Sequence, residues 1–158
     1  GWAAWRHSEL AALSSGIEWL SYTDGNDRLS VSLCGEHRLW TRPRLDVTGR
    51  ASLWYSTNSE QGPYFSAEWE GSATAGITIR HLAWRRYEKL FSHVLAADFG
   101  FQDQDGFSSK WIGSIRYEHR WRWDPWREIY YSLLIDRRVY DGDPERGIGL
   151  RLGLRQKF

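Results

Sequence analysis

The sequence predicts an all-β protein, an antiparallel transmembrane β-barrel with about eight strands in this chain. Three observations lead to this fold class. Apolar and polar residues alternate in runs of about 9 to 15 residues, turn residues separate the runs, and aromatic residues are abundant, with 11 Trp and 8 Tyr. Alternation with a period of two places apolar and polar side chains on opposite faces of a strand. The run length suits a tilted strand that crosses a membrane.

Turn residues divide the chain into the predicted strands. Asp-Gly, Asn, Pro and charged clusters form these turns, as in DGND at 24–27 and TRPR at 41–44. Strands are expected at 14–23, 28–40, 45–57, 72–84, 91–103, 109–123, 127–140 and 146–158. Residues 1–13 are expected to be irregular or the remnant of an upstream strand. We predict a single barrel domain over residues 1–158.

Alternation is clearest in five of these strands, taken in chain order. One face is apolar and is formed by Leu29, Val31, Leu33, Leu39, Leu45, Val47, Leu53, Tyr55, Phe91, Leu95, Phe99, Phe101, Ile129, Tyr131, Leu133, Ile135, Val139, Leu150, Leu152, Leu154 and Phe158. The other face carries charge at mid-strand, from Arg28, Glu36, Arg38, Asp46, Arg50, Asp98, Asp136, Arg138, Arg151 and Arg155. This pattern predicts a lipid-facing surface and a polar lumen.

The strand at 109–123 contains the segment WIGSIRYEHRWRW, in which large aromatics collect at one end beside the turn Asp124-Pro125. A membrane interface favours Trp and Tyr because each ring has an apolar body and a polar tip. We therefore interpret the aromatics of this region as an interface girdle: Trp111, Tyr117, Trp121, Trp123, Trp126 and Tyr131.

Connection lengths point to one orientation. Counted back from the C-terminus, long or moderate connections (DGDPER, DQDGF, NSEQGPYFSAEWEG) alternate with short ones (DP, RRYEKL, TRPR). Outer-membrane barrels have short periplasmic turns and longer extracellular loops. The terminal Phe158 after an apolar strand is the usual ending of such barrels. A soluble β-sandwich also alternates, with its polar face outward, and stays an alternative.

Composition excludes several classes. No run approaches the 18 apolar residues of a membrane helix. A charged fraction of 26% and a mean hydropathy of -0.61 would suit a soluble protein, but the polar lumen of a barrel lowers the average in the same way. A net charge of +1 gives no support to nucleic-acid binding. Cys34 is alone and the five His show no metal-ligand spacing, so no metal or cofactor is predicted. The start of the chain lacks the features of a signal peptide, so an exported protein would be a mature form or a fragment.

In five segments the chain resembles the C-terminal part of the poly-β-1,6-N-acetyl-D-glucosamine export porins of Gram-negative bacteria. These segments are WLSYTDGNDR (19–28), RLWTRPRLDVTGRASLWYSTNSEQGPYF (38–65), HLAWRRYEKLFSH (81–93), SIRYEHRW (114–121) and RRVYDGDPERGIGLRLGLRQKF (137–158). The resemblance implies the C-terminal half of a barrel of about sixteen strands in the outer membrane, preceded by a periplasmic helical-repeat domain. It also implies export of this biofilm exopolysaccharide, with outer-membrane lipid and a periplasmic deacetylase as partners.

Candidate site residues lie on the polar face. Asp98, Glu118 and Asp136, with Arg116 and Arg138, are predicted to line the lumen and guide the polymer through hydrogen bonds and charge. The alternative is a salt-bridge network that fills the lumen, because unpaired charges in a dry interior are costly.

A second set of candidates lies in the longest predicted loop. Tyr64, Phe65 and Trp69 could stack on sugar faces where the polymer leaves the barrel. The alternative is a loop that only packs over the barrel mouth.

The sequence favours passive guidance over chemistry. Ser92 and His93 are adjacent, so their side chains point to opposite faces and cannot form a nucleophile and base pair. We predict a protein that is not an enzyme. The alternatives kept open are a small closed barrel with a lipid A-modifying or structural role, and a soluble carbohydrate-binding β-sandwich.

Overall fold

The computed structural model describes residues 1–23, 25–59, 67–140 and 142–156. The described chain is all-β. Its nine strands are β1 (Trp2–Arg6), β2 (Ala11–Ser21), β3 (Asp27–Arg42), β4 (Leu45–Asn58), β5 (Trp69–Arg86), β6 (Lys89–Gln104), β7 (Lys110–Arg122), β8 (Arg127–Tyr140) and β9 (Asp143–Gln156). Within these ranges no helix is long and apolar enough to cross a membrane.

All nine strands belong to one sheet, and each pairs antiparallel with its neighbour in sequence. The sheet order is β1 to β9, so β1 and β9 form its two edges and the sheet is open. The predicted antiparallel all-β fold is confirmed, with nine strands where about eight were expected. The additional strand is β1, which lies within the residues expected to be irregular or an upstream remnant. The β-sandwich alternative is wrong, because the described strands form a single sheet.

The two faces of the sheet differ in chemistry, as the alternation predicts. The convex outer face exposes large apolar side chains in nearly every row, including Ile115, Leu133 and Ile148. Such a continuous apolar surface would be unusual on a soluble monomer. Among the described residues only Ala67, Val94, Ala96 and Val139 are buried and apolar, so the sheet is a wall one layer thick rather than one half of a core. Val139, predicted on the apolar face, is one of those buried residues.

Two β-bulges adjust the outer face near the same end of the sheet. The register shifts between Arg38 and Trp40 in β3 and between Leu82 and Trp84 in β5. A bulge inserts one extra residue and thereby changes which side chains point outward. As a result Trp40 lies opposite Val47 and Trp84 lies opposite Phe91, both on the apolar face. The bulges therefore place two tryptophans on the apolar outer face.

The connections only partly follow the predicted alternation of lengths. At the end of the sheet where Trp40 and Trp84 lie, the turns β3–β4 and β5–β6 have two residues each. At the other end, β4–β5 spans ten residues, 59–68, and is the longest. The β8–β9 connection, expected to be long, has two residues because Asp143 pairs with Tyr140 and the rest of DGDPER joins β9. Pro144 lies opposite Val139 in β9, which is an edge of the described sheet.

Candidate functional site: the concave polar face

Two predicted carboxylates, Asp98 and Asp136, lie in one row across the concave face. Register places Gly76, Asp98, Ser114, Asp136 and Gly147 directly opposite one another on β5 to β9. We call this set the aspartate row. A Cβ at Gly76 would overlap the carboxylate of Asp98, and a Cβ at Gly147 would crowd that of Asp136. The two glycines therefore make room for carboxylates that lie flat against the wall.

The two aspartates have different partners. Asp136 forms a salt bridge with Arg138, two residues along the same strand. Asp98 accepts a hydrogen bond from the Ser114 hydroxyl at 3.4 Å, and no ion-pair partner lies within 4.0 Å of it in the described part of the chain. Asp98 is thus the carboxylate of the row that stays available for a ligand.

Glu118 fits the salt-bridge alternative better than a ligand contact. Its side chain is 5% exposed and accepts a hydrogen bond from Nε of Arg120. Nearby, the equally buried Glu128 lies 3.4 Å from Nη2 of Arg122 and 3.8 Å from Nη1 of Arg155. A buried carboxylate needs such partners, because an unpaired one would carry a large desolvation penalty. These pairs connect β7, β8 and β9 on the concave side.

Arg116 and Arg138, the two predicted lumen arginines, lie on the concave side of β7 and β8. Arg138 is largely exposed and paired with Asp136. Arg116 lies opposite Ala96 and Leu134 at the middle of β7, half-buried, and has no ion-pair partner among the residues that the structure describes. Arg138 is therefore paired with a carboxylate, whereas Arg116 is available to a ligand.

Of the three aromatic residues predicted in the long loop, the structure describes one. Tyr64 and Phe65 lie outside the described residues. Trp69 is not in the loop, contrary to the prediction: it begins β5, and its ring stacks on Tyr55 with centroids 6.4 Å apart and planes 19° apart. Both residues lie on the apolar outer face, at the long-loop end of the sheet. A sugar contact by Trp69 stays untested.

A polar network at the long-loop end was not found from the sequence. Arg28 donates from Nε to the Ser56 hydroxyl at 2.8 Å and from Nη2 to Glu70 at 2.7 Å. Gln104 donates to the other oxygen of Glu70 at 3.3 Å and accepts from the backbone N–H of Gly142 at 3.1 Å. The network connects β3, β4, β5 and β6 with the β8–β9 turn. Only the cross-strand register brings these residues together, and no local motif marks them.

A second feature missed from the sequence lies on the outer face, where three histidines stand side by side. His81, His93 and His119 are directly opposite one another on β5, β6 and β7. The Tyr117 hydroxyl lies 2.6 Å from Nδ1 of His93 and 2.9 Å from Nε2 of His119, and Nδ1 of His119 is hydrogen-bonded to Tyr131. We call these five residues the His–Tyr row. On β6 and β7 its histidines are two residues closer to the middle of the strand than Phe91 and Trp121, whose rings stack on each other.

Comparisons with known proteins agree with this geometry. The chain is 28% identical over 146 residues to the "Poly-beta-1,6-N-acetyl-D-glucosamine export protein" of Escherichia coli strain K12 and, equally, of Escherichia coli O157:H7. That match covers 90% of this chain but 18% of each relative, so the chain spans about a fifth of their length.

A solved structure described as "Bacterial polysaccharide outer membrane secretin" superposes with a TM-score of 0.94 at 26% identity. It matches 99% of this chain, which accounts for 55% of the solved chain. The nine-stranded sheet is therefore wall of a transmembrane β-barrel in the outer membrane, as predicted. A family model for the "PgaA membrane beta barrel domain" matches residues 1–158, and the chain belongs to that family.

Proposed function

We propose that the whole protein exports a polysaccharide across the outer membrane through the lumen that this wall helps to enclose. The cargo class follows from the names of the relatives, which are export proteins for poly-β-1,6-N-acetyl-D-glucosamine. The observation that carries the proposal is the aspartate row, a polar track at mid-wall that lies opposite an apolar outer face. Carboxylates and hydroxyls at this position can bind sugar hydroxyls and any free amine of the polymer.

Guidance is passive in this proposal, and the protein is not an enzyme. Ser92 and His93 are on opposite faces of β6, since Ser92 is buried on the concave side and His93 belongs to the outer His–Tyr row. These two residues therefore do not form a nucleophile and base pair. Asp98 and Asp136 act by binding, and Arg138 holds Asp136 in place.

The other proposed partners contact the ends and the outside of the wall. Arg85 and Arg86 are exposed at the short-turn end, where they suit a periplasmic helical-repeat domain or anionic lipid. Outer-membrane lipid covers the apolar face. A periplasmic deacetylase would deliver a polymer that carries some free amines, which fits carboxylates in the lumen.

A complementation experiment tests the proposal. The full-length protein, with and without the pair of changes Asp98→Asn and Asp136→Asn, is expressed in a strain that lacks its own exporter. We expect the wild type to restore polymer at the cell surface, and the double variant to lower surface polymer and raise the periplasmic amount.

Heat-modifiable gel migration serves as the control for assembly of the barrel in both cases. If the assembled wild type restores no surface polymer, the export proposal is wrong. If the assembled double variant exports as well as the wild type, the aspartate row is not the guiding element.

A further inference from the structure

A cavity of about 320 Å³ lies in the concave wall at mid-height, where it adjoins the aspartate row at Asp98 but is lined by three arginines. Its lining includes Arg50, Thr78, Asp98, Arg116, Ser132 and Arg151. We propose that this cavity is an oxyanion-binding site, which takes a carboxylate or phosphate group. The inference rests on the proposed function in that it names the chemical class of one group that the lumen wall binds.

The cavity exists because small residues form its floor. Ala96 lies between Thr78 and Arg116 in one row, and Gly149 closes the same row on β9. A Cβ at Gly149 would meet only the Leu134 side chain, at 3.9 Å. Small residues leave a depression, and the long arginine side chains stand around it.

The arginines of the cavity are unpaired. Within the described ranges, none of Arg50, Arg116 and Arg151 has a carboxylate within 4.0 Å. Other concave-face arginines, such as Arg28 and Arg120, each have one. Asp98 is the one carboxylate of the lining, and it lies against Gly76 rather than against a guanidinium. Among the described residues, the lining therefore has an excess of positive charge.

Spacing favours two arginines acting on one ligand. Arg116 is on β7 and Arg151 on β9, with β8 between them, so their backbones are about 10 Å apart at the usual strand spacing. On β8, Ser132 lies opposite Glu118 on one side and Arg151 on the other. Arg116 is two residues before Glu118 on β7, on the same face. Guanidinium groups bind carboxylates and phosphates through paired N–H donors. An oxyanion above Ser132 would be reached from both sides.

The width of the barrel keeps this site open to ligand. This chain accounts for 55% of the solved relative, and a chain of that relative's length has room for about 16 such strands. Barrels of about 16 strands enclose an aqueous channel. Residues of the opposite wall are then too far away to neutralise the arginines.

Calorimetric titration of the full-length protein in detergent tests the inference without requiring an open pore. The probes are inorganic phosphate, trigalacturonate as a sugar-borne carboxylate, and neutral tri-N-acetylglucosamine as the uncharged comparison. We expect one or both anions to bind. The double change Arg116→Gln and Arg151→Gln is expected to weaken that binding at least about tenfold, the effect of losing a charge-assisted hydrogen bond. Asp98→Asn should strengthen it, because the competing negative charge is gone.

Arg44→Gln, which changes an exposed arginine in the β3–β4 turn away from the cavity, is the matched control and should bind like the wild type. Phosphate binding without trigalacturonate binding would identify a free-anion site, and the reverse a site for acidic sugars. No anion binding by the wild type, or binding that the double variant retains, overturns the inference. Because the proposed function is read from polymer at the cell surface, its failure is seen separately from this result.

Discussion

At the scale of single residues, the His–Tyr row shows how a lipid-facing surface tolerates polar rings. Each neutral imidazole has one donor and one acceptor nitrogen, and a tyrosine hydroxyl can serve as either partner. Both nitrogens of His119 meet tyrosine hydroxyls, and His93 shares that of Tyr117. Buried or lipid-facing polar groups need such partners because no water replaces them.

The change Tyr117→Phe should therefore destabilise the barrel. It leaves nitrogens of His93 and His119 without the hydroxyl, which costs about 1 to 3 kcal/mol in the free energy of unfolding. Urea unfolding of the full-length protein in lipid vesicles measures this difference. Tyr55→Phe is the control, since Tyr55 also faces outward but stacks on Trp69 through its ring; its loss should be below about 0.5 kcal/mol. Equal losses for the two variants would contradict the role given to the hydroxyl of Tyr117.

Sequence alone could predict the face of each site residue but not its neighbours. Period-two alternation correctly assigned Asp98, Glu118 and Asp136 to the polar face. It could not show that Glu118 is held by Arg120 while Asp98 accepts a hydrogen bond from Ser114, because those contacts depend on cross-strand register and rotamer. The same limit hid the His–Tyr row, whose members come from four strands.

At the scale of elements, the β7–β8 turn is organised by Asp124. Its carboxylate accepts hydrogen bonds from the backbone N–H groups of Trp126 and Arg127, at 2.9 and 2.8 Å, and from Nε of Arg127 at 2.8 Å. Partial desolvation alone would raise the pKa of Asp124, but the hydrogen bonds, first that from the Arg127 side chain, outweigh it and lower the pKa. The ionised carboxylate is therefore the form that the folded turn prefers.

Asp124 should make the stability of this turn depend on pH at the acid end. Because the folded pKa is lowered, its stabilising contribution is complete above the unfolded value of about 3.9 and is lost as pH falls through the folded pKa. Asp124→Asn should unfold more readily than the wild type at neutral pH, and the difference should shrink below about pH 4. Unfolding followed by Trp fluorescence across this range measures it. A difference that does not change with pH would show that the charge of Asp124 is not involved.

Strand existence was easier to predict than strand ends. All eight expected strands begin and end within three residues of the observed ones because turn residues mark them, and the largest differences are at the starts of β2, β5 and β9. The bulges in β3 and β5 have no sequence pattern that separates them from regular strand. The β8–β9 turn was misjudged because Asp143 to Arg146 have the composition of a loop, yet pair with β8.

At the scale of the whole molecule, one wall separates lipid from a polar lumen, and adjacent residues of one strand meet different environments. Leu133 lies outward, opposite Leu150, whereas Leu134 lines the concave cavity opposite Gly149. The same substitution at these two positions compares the two faces directly.

Leu133→Arg should impair assembly, because an arginine on the lipid face near mid-membrane costs about 2 to 4 kcal/mol. Leu134→Arg should be tolerated better, since its side chain faces the aqueous lumen. The measurement is the fraction of full-length protein that shows heat-modifiable migration after refolding with lipid. Similar fractions for the two variants would contradict the assignment of the faces.

In the described sheet each strand pairs with the strands next to it in sequence, and this order affects how the gene can change during evolution. A duplication or deletion that covers one hairpin adds or removes two strands without disturbing the pairing of any other pair. Inside and outside keep their alternation, and only the circumference changes. Such a wall can therefore evolve toward wider or narrower cargo in steps of one hairpin, while its interior chemistry diverges residue by residue.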